Sequence, residues 1–546
     1  MFIDPYLRFI EGSRNSSLLS VFYTLNKEKF DEGAVEINNK VHTKLELFYD
    51  VIRISSALWG IGFDSEKILG IATPNLYEGV VLTFSANLLG GKVFYLDEKA
   101  LELDLKRVEV DYLLISNKSK KELTQLEKKL QKTITFIVVK GKDDRYFPRP
   151  NMLSFTELKE IGEYNEANFF NQDITYPKEK DLIFLQTSGS TSGVPKILPF
   201  KNESLYAFLE DVQASAGATA NDRKEKKALI IVPYGIPYGW TMTFANLLIG
   251  NRVCFVEETT PEAIGKYYKL KPTYIYGTPL ILNCFIEATP KFADLSSLER
   301  FYASGFSISE DAFKEGEKYL REHNCRGQLC NNYGVGEGLC VGTTSDDVSH
   351  KPNTSGKFYK LSEWVIVDED MNEVGEGEVG EILLSSATLC NGYYNNPEET
   401  KASFISFRGK TFFKTGDFAS KDSEGYVTIV GRKKRFYQPL GAKNKVNPET
   451  IEKALYEGGE VEKCGVAIYS PNEKYEASMA FVVLKDEKKS SKVTSDTLMN
   501  KLKTRLQDYQ LPEKIIIIKE LPLRSSGKID YEQLESMCYL YQTKPL

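Results

Sequence analysis

"FLQTSGSTSGVPKILPF", residues 184–200, begins as an apolar run, breaks into hydroxyls and glycines, and resumes as a strand-like KILPF behind Pro195 and Lys196. Apolar runs of the same strand length recur along the chain. KILGIATP (67–74), GKVFYLD (91–97), DYLLIS (111–116), TFIVVK (135–140), DLIFLQ (181–186), KALIIVP (227–233), NRVCFVE (251–257) and PTYIYGTP (272–279) alternate with helical stretches. This alternation predicts an α/β architecture whose sheets are largely buried. After about residue 356 the pattern changes: GKFYKLSEWVIVDEDMNEVGEGEVGEILLSS has short strands and Gly-rich turns without helices between them, the mark of a small β subdomain. The C-terminal segment reads as a separate α+β unit. Asn447 caps a helix with Pro448 in its first turn and Gly458-Gly459 at its end, strands CGVAIYS and SMAFVVL follow, and Leu498, Leu502, Leu506 and Tyr509 mark one face of a further helix.

The 546 residues exceed one ordinary core, and 42% apolar with 27% charged residues describes a globular protein with at least one smaller domain. A net charge of -6 gives no electrostatic reason to expect nucleic acid as a partner. No basic segment precedes an apolar run at the N-terminus and no apolar stretch is long enough to span a bilayer, so membrane insertion is not expected and a cytoplasmic protein is. Eight cysteines without a close CxxC pair read as buried thiols. Cys325, Cys330 and Cys340, near His323, fit no zinc spacing, and neither His42, His323 nor His350 stands beside a Ser or Cys nucleophile. The charged stretch 118–132 fits a solvated amphipathic helix.

In the opening loop, Gly189 and Gly193 permit tight turns, Thr187, Ser188, Ser190, Thr191 and Ser192 supply hydroxyls, and Lys196 supplies a positive charge. These are the parts of a phosphate cradle. A Walker loop is excluded by order, because its lysine leads straight into a helix and here Pro199 follows Lys196 within a strand-like run. A flexible surface turn has the same composition.

TSGSTSGVPK resembles the phosphate-loop signature of the adenylate-forming enzymes: acyl- and aryl-CoA synthetases, peptide-synthetase adenylation domains and firefly luciferase. ASGF (303–306), NNYGVGEG (331–338), GEVGEIL followed by NGYYNNPEET (391–400), FKTGD (413–417), GRKK (431–434) and LPLRSSGKID (521–530) resemble the family's later motifs in family order. The resemblance implies a large domain of sheets flanked by helices with its β subdomain (residues 1–433), then a small mobile α+β lid (434–546) that turns about Lys434. It implies ATP and Mg²⁺ as cofactors. The nucleotide would be held by Thr187 to Gly193 and Lys196, by Ser304, Gly305, Asn332 and Gly334, with Tyr333 on adenine, Asp417 on the ribose hydroxyls, and Ile429 and Arg432 beside them. Glu337, helped by Thr191, would hold the metal, and Lys528 would contact the α-phosphate and the substrate carboxylate. Attack at the α-phosphorus piles negative charge on its oxygens, which a metal and an ammonium stabilise.

The chain departs from the family's pattern at the extra Ser192, at Gly336 in place of threonine, and at Arg435, Tyr437 and Gln438 after the hinge. By family position the acid pocket comprises Tyr234, Ile236, Pro237, Tyr238, Trp240, Tyr276, Gly277 and Phe306. Pro237 stands where α-amino-acid adenylation domains carry an aspartate, and no carboxylate lies between Pro233 and Gly250, so a buried ammonium would be uncompensated. The expected reaction is ATP-dependent activation of an aryl or apolar carboxylic acid to acyl-AMP. Transfer to CoA or to the phosphopantetheine thiol of a separate acyl or peptidyl carrier protein follows, in secondary metabolism. A stand-alone amino-acid adenylation enzyme and a non-catalytic adenylate-binding homologue are the alternatives; retention of Lys196, Glu337, Asp417 and Lys528 speaks against the latter.

Overall fold

The computed structural model describes residues 17–542 apart from 117, 119, 140–150, 171–180, 188–194, 209–224, 306, 307, 309, 345–350, 352, 353, 360, 361, 433, 434, 440–445, 472–474, 486–492 and 524–528. Every apolar run named above forms a strand, and the runs sort into two seven-stranded sheets. The first has the order Met152–Ser154, Thr135–Val139, Tyr112–Ser116, Ile68–Ala72, Lys92–Tyr95, Asp181–Gln186, Ile197–Lys201; the second runs Gln328–Cys330, Arg300–Ala303, Tyr274–Gly277, Lys227–Ile230, Arg252–Phe255, Gly33–Ile37, Lys40–Thr43. Each is parallel except for the last-named strand at one edge.

A strand buried on both faces cannot alternate polar and apolar residues, which explains the continuous apolar runs. Helices Tyr77–Leu88 and Pro237–Leu248 contribute Val81, Phe84, Trp240 and Phe244 to one core shared with strands of both sheets, with Phe84 and Phe244 5.7 Å apart. The segment 118–132 forms the helix Lys120–Leu130, with Leu123 buried.

Glu363–Val367, Gly380–Ser385, Lys410–Lys421, Phe404–Phe407 and Val427–Arg432 make the antiparallel sheet of the β subdomain. In the C-terminal unit, Val461–Tyr469, Ala477–Leu484 and Lys514–Ile517 form a three-stranded sheet packed with helices Pro448–Tyr456, Ser495–Lys503 and Tyr531–Gln542. Asn447 caps the first of these as expected, accepting from Glu449 N. The helix predicted through Tyr509 is shorter, ending at Lys503. Gln507 turns the backbone extended (φ -74°, ψ 152°), and Tyr509 sits exposed in a separate short turn.

Arg435 anchors this unit. Its guanidinium lies 2.8 Å from Glu452 Oε1, 3.4 Å from Glu449 Oε1 and 4.1 Å from the centre of the Tyr531 ring, and it donates to Val466 O. Removing one partner from a largely buried ionic cluster strands the others, so Arg435→Ala is expected to destabilise the unit by about 3 kcal/mol. Urea unfolding of the full chain measures this, and an unchanged midpoint would show that the cluster contributes nothing.

Candidate active site

The antiparallel strands Asp181–Gln186 and Ile197–Lys201 converge on the Ser- and Gly-rich loop. Thr187 N donates to Lys196 O (2.9 Å) and Lys196 N to Thr187 Oγ1 (3.0 Å), which closes the neck of the loop. Ser188, Gly189, Ser190, Thr191, Ser192 and Gly193 lie outside the described residues. Lys196 Nζ pairs with Glu399 and stands 4.2 Å above the Tyr393 ring, while Tyr393 Oη donates to Glu337 Oε1 at 2.9 Å. Burial and the Glu337 carboxylate push the Tyr393 phenol far up, so it remains a donor. Asn396 caps the helix Pro397–Ser403 and thereby fixes Glu399, whose N–H it accepts. Lysine, phenol and the two carboxylates therefore form one connected row. Sequence reading missed Tyr393 and Glu399, although both stand in the motif NGYYNNPEET; the available signal was a lysine that needed a partner.

A second cluster gathers three residues assigned to nucleotide. Tyr333 Oη donates to Asp417 Oδ2 at 2.7 Å, and Arg432 Nε lies 2.7 Å from Asp417 Oδ1. Pairing of Asp417 with Arg432 across neighbouring strands sets this geometry, and Gly416, at φ 70°, bends the strand just before the carboxylate. Burial and Asp417 drive the Tyr333 phenol well above its ordinary value. Trp364 stands edge-on to Tyr333, and Ile429 packs against the same buried cluster of Ile366, Ile382, Ala419 and Val427 as both rings. Asn332 Oδ1 is buried with no donor among the described residues, and Gly334 pairs with Gly342, whose Cβ, if it had one, would fall 2.0 Å from Tyr333 O.

Ile236 is the N-cap of helix Pro237–Leu248. Tyr238 Oη donates to Gly277 O (3.4 Å), and Tyr276 stacks on Tyr302 with ring centres 4.8 Å apart, a contact that sequence reading did not foresee. Burial pushes the Tyr276 phenol up to about 12. Ser304 N donates to Gly277 O, Gly305 (φ 90°) turns the chain outward, and Phe306 lies outside the described residues. A side chain at Gly336 would reach within 3.4 Å of Pro237 Cγ, so the Glu337 motif adjoins the helix that begins the pocket.

Two residues expected to line the pocket belong to the core instead. Trp240 follows Tyr238 by two helix positions, roughly 200° around the axis, and stacks on Phe244 at 4.6 Å with no exposed surface. Tyr234 points back to the first sheet: its hydroxyl bonds Thr73 Oγ1 at 2.9 Å and its ring stands edge-on to Tyr95.

Beyond Arg432, Lys434, expected as the hinge, lies outside the described residues, as does Lys528; Leu523 and Ile529, on either side of Lys528, pair with each other. Asn447 Nδ2 donates to Val430 O (2.7 Å), and burial pushes the nearby Glu449 carboxyl up to about 7 against the pull of Arg435. Tyr437, one of the departures, bonds Ser478 inside the C-terminal unit at 2.7 Å and is a core residue. Among the described residues no cluster of three or more His, Cys, Asp or Glu could hold a metal by itself, and no helix is long and apolar enough to cross a membrane.

Residues 25–394 match the family model described as AMP-binding enzyme, and residues 450–528 match its C-terminal domain. The chain is 26% identical over 542 residues to a long-chain-fatty-acid–CoA ligase of Bacillus subtilis, covering 94% of this chain and 93% of that one. It is 26% identical over 403 residues to a D-alanine–D-alanyl carrier protein ligase of Streptococcus pneumoniae, covering 70% and 75%. ATP-bound MatB from Rhodopseudomonas palustris shares the fold, with a TM-score of 0.78 at 19% identity over 95% of this chain and 99% of that one. With motif order, fold and the two clusters in agreement, the chain belongs to the AMP-binding enzyme family of adenylate-forming, AMP-producing acid–thiol ligases.

Proposed function

We propose that this chain activates an aryl or otherwise apolar carboxylic acid with ATP and passes the acyl group to CoA or to the phosphopantetheine thiol of a separate carrier protein, in the cytoplasm and in a secondary pathway. The observation that carries the choice of acid is the segment from Pro233 to Gly250, which holds no carboxylate and whose Tyr238 reaches Gly277 O, next to Tyr276 stacked on Tyr302. An α-amino acid would bury its ammonium there without a counter-charge, at a cost of several kcal/mol. A fatty-acid ligase and a carrier-protein ligase among the relatives support a thiol acceptor of either kind.

In this reading a carboxylate oxygen of the substrate attacks the α-phosphorus, the bond to the bridging oxygen breaks, and pyrophosphate leaves. Tyr333, with Ile429, holds the adenine. Asp417 exchanges Arg432 for the ribose hydroxyls, and Arg432 turns to the ribose or phosphate. Lys196 and the loop hydroxyls of Thr187 to Ser192 hold the β- and γ-phosphates. Glu337 suits Mg²⁺ carried in by ATP, since Mg²⁺ characteristically takes one or two protein carboxylates plus phosphate oxygens and water. Bound there with Thr191, the ion would neutralise phosphate charge. Lys528 supplies a further cation at the α-phosphate. Residues 1–433 would form the adenylating domain and 434–546 the lid, turning about Lys434 so that the thiol can enter for the second step.

Acid-dependent ATP–pyrophosphate exchange with a panel of fatty, aryl and amino acids tests the reading. Exchange is expected with an aryl or fatty acid and with none of the proteinogenic amino acids. Robust exchange with one α-amino acid would overturn the assignment of the acid.

A further inference from the structure

Helix Pro237–Leu248 has two unlike faces. Trp240, Phe244 and Leu247 are fully buried, whereas Tyr238, Met242 and Ala245, spaced i, i+4, i+7 along one stripe, pack against the same core and stay partly accessible. The helix is tied to strand Tyr274–Gly277 at two levels: Tyr238 Oη donates to Gly277 O, and the side chain of Asn246, two turns on, meets the Tyr276 hydroxyl. On the sheet, Tyr276 pairs in register with the partly accessible Tyr302 of the next strand, and their rings stack with planes 5° from parallel. Arg300, two residues earlier on the same face as Tyr302, brings Nη1 to the Tyr302 hydroxyl at 3.4 Å. Arg300, Tyr302 and Ser304 therefore follow one another down one face of the strand and its exit.

Two residues of strand advance about 7 Å, so an acid entering at the level of Ser304 meets the stacked rings within about one ring's depth and a guanidinium behind them. This is a floor and not a passage. An extended alkyl chain would have to part Tyr276 from Asn246 and lay methylenes against the Tyr302 hydroxyl and the Arg300 cation, displacing polar contacts with nothing to replace them. A single aromatic ring stops short of the floor and gains ring contacts with the tyrosines that bound it. We propose that the acid is a single-ring aryl acid, and that Tyr302, with Tyr276 and Tyr238, sets its length by closing the pocket beneath the ring. The inference rests on the proposed function, whose acid pocket this is, and decides between the aryl and the fatty acids that the wider reading leaves together.

The experiment compares benzoate, butanoate and dodecanoate in pyrophosphate exchange by the full chain. Calorimetry compares the matching acyl sulfamoyl adenosines, which mimic the acyl-adenylate and need no turnover. Benzoate is expected to exceed dodecanoate about tenfold or more in both readouts, the worth of forcing an ill-fitting group into a packed site. Tyr302→Ala removes the floor and should shift that ratio about tenfold towards dodecanoate, while Tyr302→Phe, which keeps the ring, should keep the wild-type order. Butanoate or dodecanoate at or above benzoate in the wild-type chain would overturn the proposal, as would a folded Tyr302→Ala chain with the wild-type ratio; should that variant not fold, the wild-type ratios decide. If the wild-type chain exchanges pyrophosphate with no acid, the proposed function fails, and the affinities for the acyl sulfamoyl adenosines still decide the depth of the pocket.

Discussion

Lys528→Ala should slow formation of the acyl-adenylate by about 10²–10³, the loss expected for one transition-state donor, while thiolysis of supplied acyl-adenylate stays nearly intact. The asymmetry follows from one active site serving two reactions. Adenylation needs a cation at the α-phosphate, where charge develops; thiolysis breaks the bond between the acyl carbon and the phosphate oxygen after pyrophosphate has gone and needs access for a thiol instead. In the proposed reading a lysine on the small C-terminal unit would supply the first and be withdrawn for the second, because its compact charge would ride on a flexible stem and on a domain proposed to turn. On the same proposal Lys434→Pro should give the reverse pattern, since a fixed φ would restrict the torsion about which the lid is proposed to turn but leave the first pose accessible. Single-turnover assays of each half-reaction separate the two. Equal loss of both steps in both variants would rule out alternation about Lys434 and direct attention to Arg435, whose bonds to Glu449 and Glu452 tie the segment after the hinge to the small unit.

Asp417→Ala should raise the ATP requirement by about 10²-fold, because two charge-assisted bonds to the ribose are lost at roughly 1.5–3 kcal/mol each before compensation by water. Both half-reactions hold the same ribose, so thiolysis should suffer through weaker adenylate binding as well, which distinguishes Asp417 from Lys528. The carboxylate also organises its neighbours: it receives Tyr333 Oη and Arg432 Nε, each at 2.7 Å. Asp417→Asn keeps acceptors in place without the charge and should fall between wild type and alanine. Isothermal titration with ATP and with AMP checks this, and an unchanged affinity for both would remove Asp417 from the ribose.

The strands were legible in the sequence because burial on both faces writes a local signal, an unbroken apolar run, and all eight runs found that way are strands. The capped helix at Asn447 was legible for the same reason: its cap is two residues from the group it serves. What could not be read was contact between distant segments. Arg107 meets Pro195, and Lys196 meets Glu399, across separations that no period marks. Family position, without any local signal, named Tyr333, Asp417 and Arg432, which meet in one cluster, and Glu337, which accepts from Tyr393. It erred for Trp240 and Tyr234, where a helix phase and a strand exit decide the direction of the side chain. Leu506 and Tyr509 continue a helical spacing past Lys503, where the helix ends, and Gln507 turns extended before Tyr509, a conformational choice that apolar spacing does not encode.

The central claim is that a carboxylate of the substrate attacks the α-phosphorus of ATP and that the adenylate is then opened by a thiol. Oxygen-18 in both carboxylate oxygens of an accepted acid tests it most directly. The bridging oxygen of the acyl-adenylate comes from the acid, and thiolysis breaks the bond on its acyl side, so the AMP released should carry one labelled oxygen and the pyrophosphate none. AMP without label, or label recovered in inorganic phosphate alongside ADP, would contradict the account.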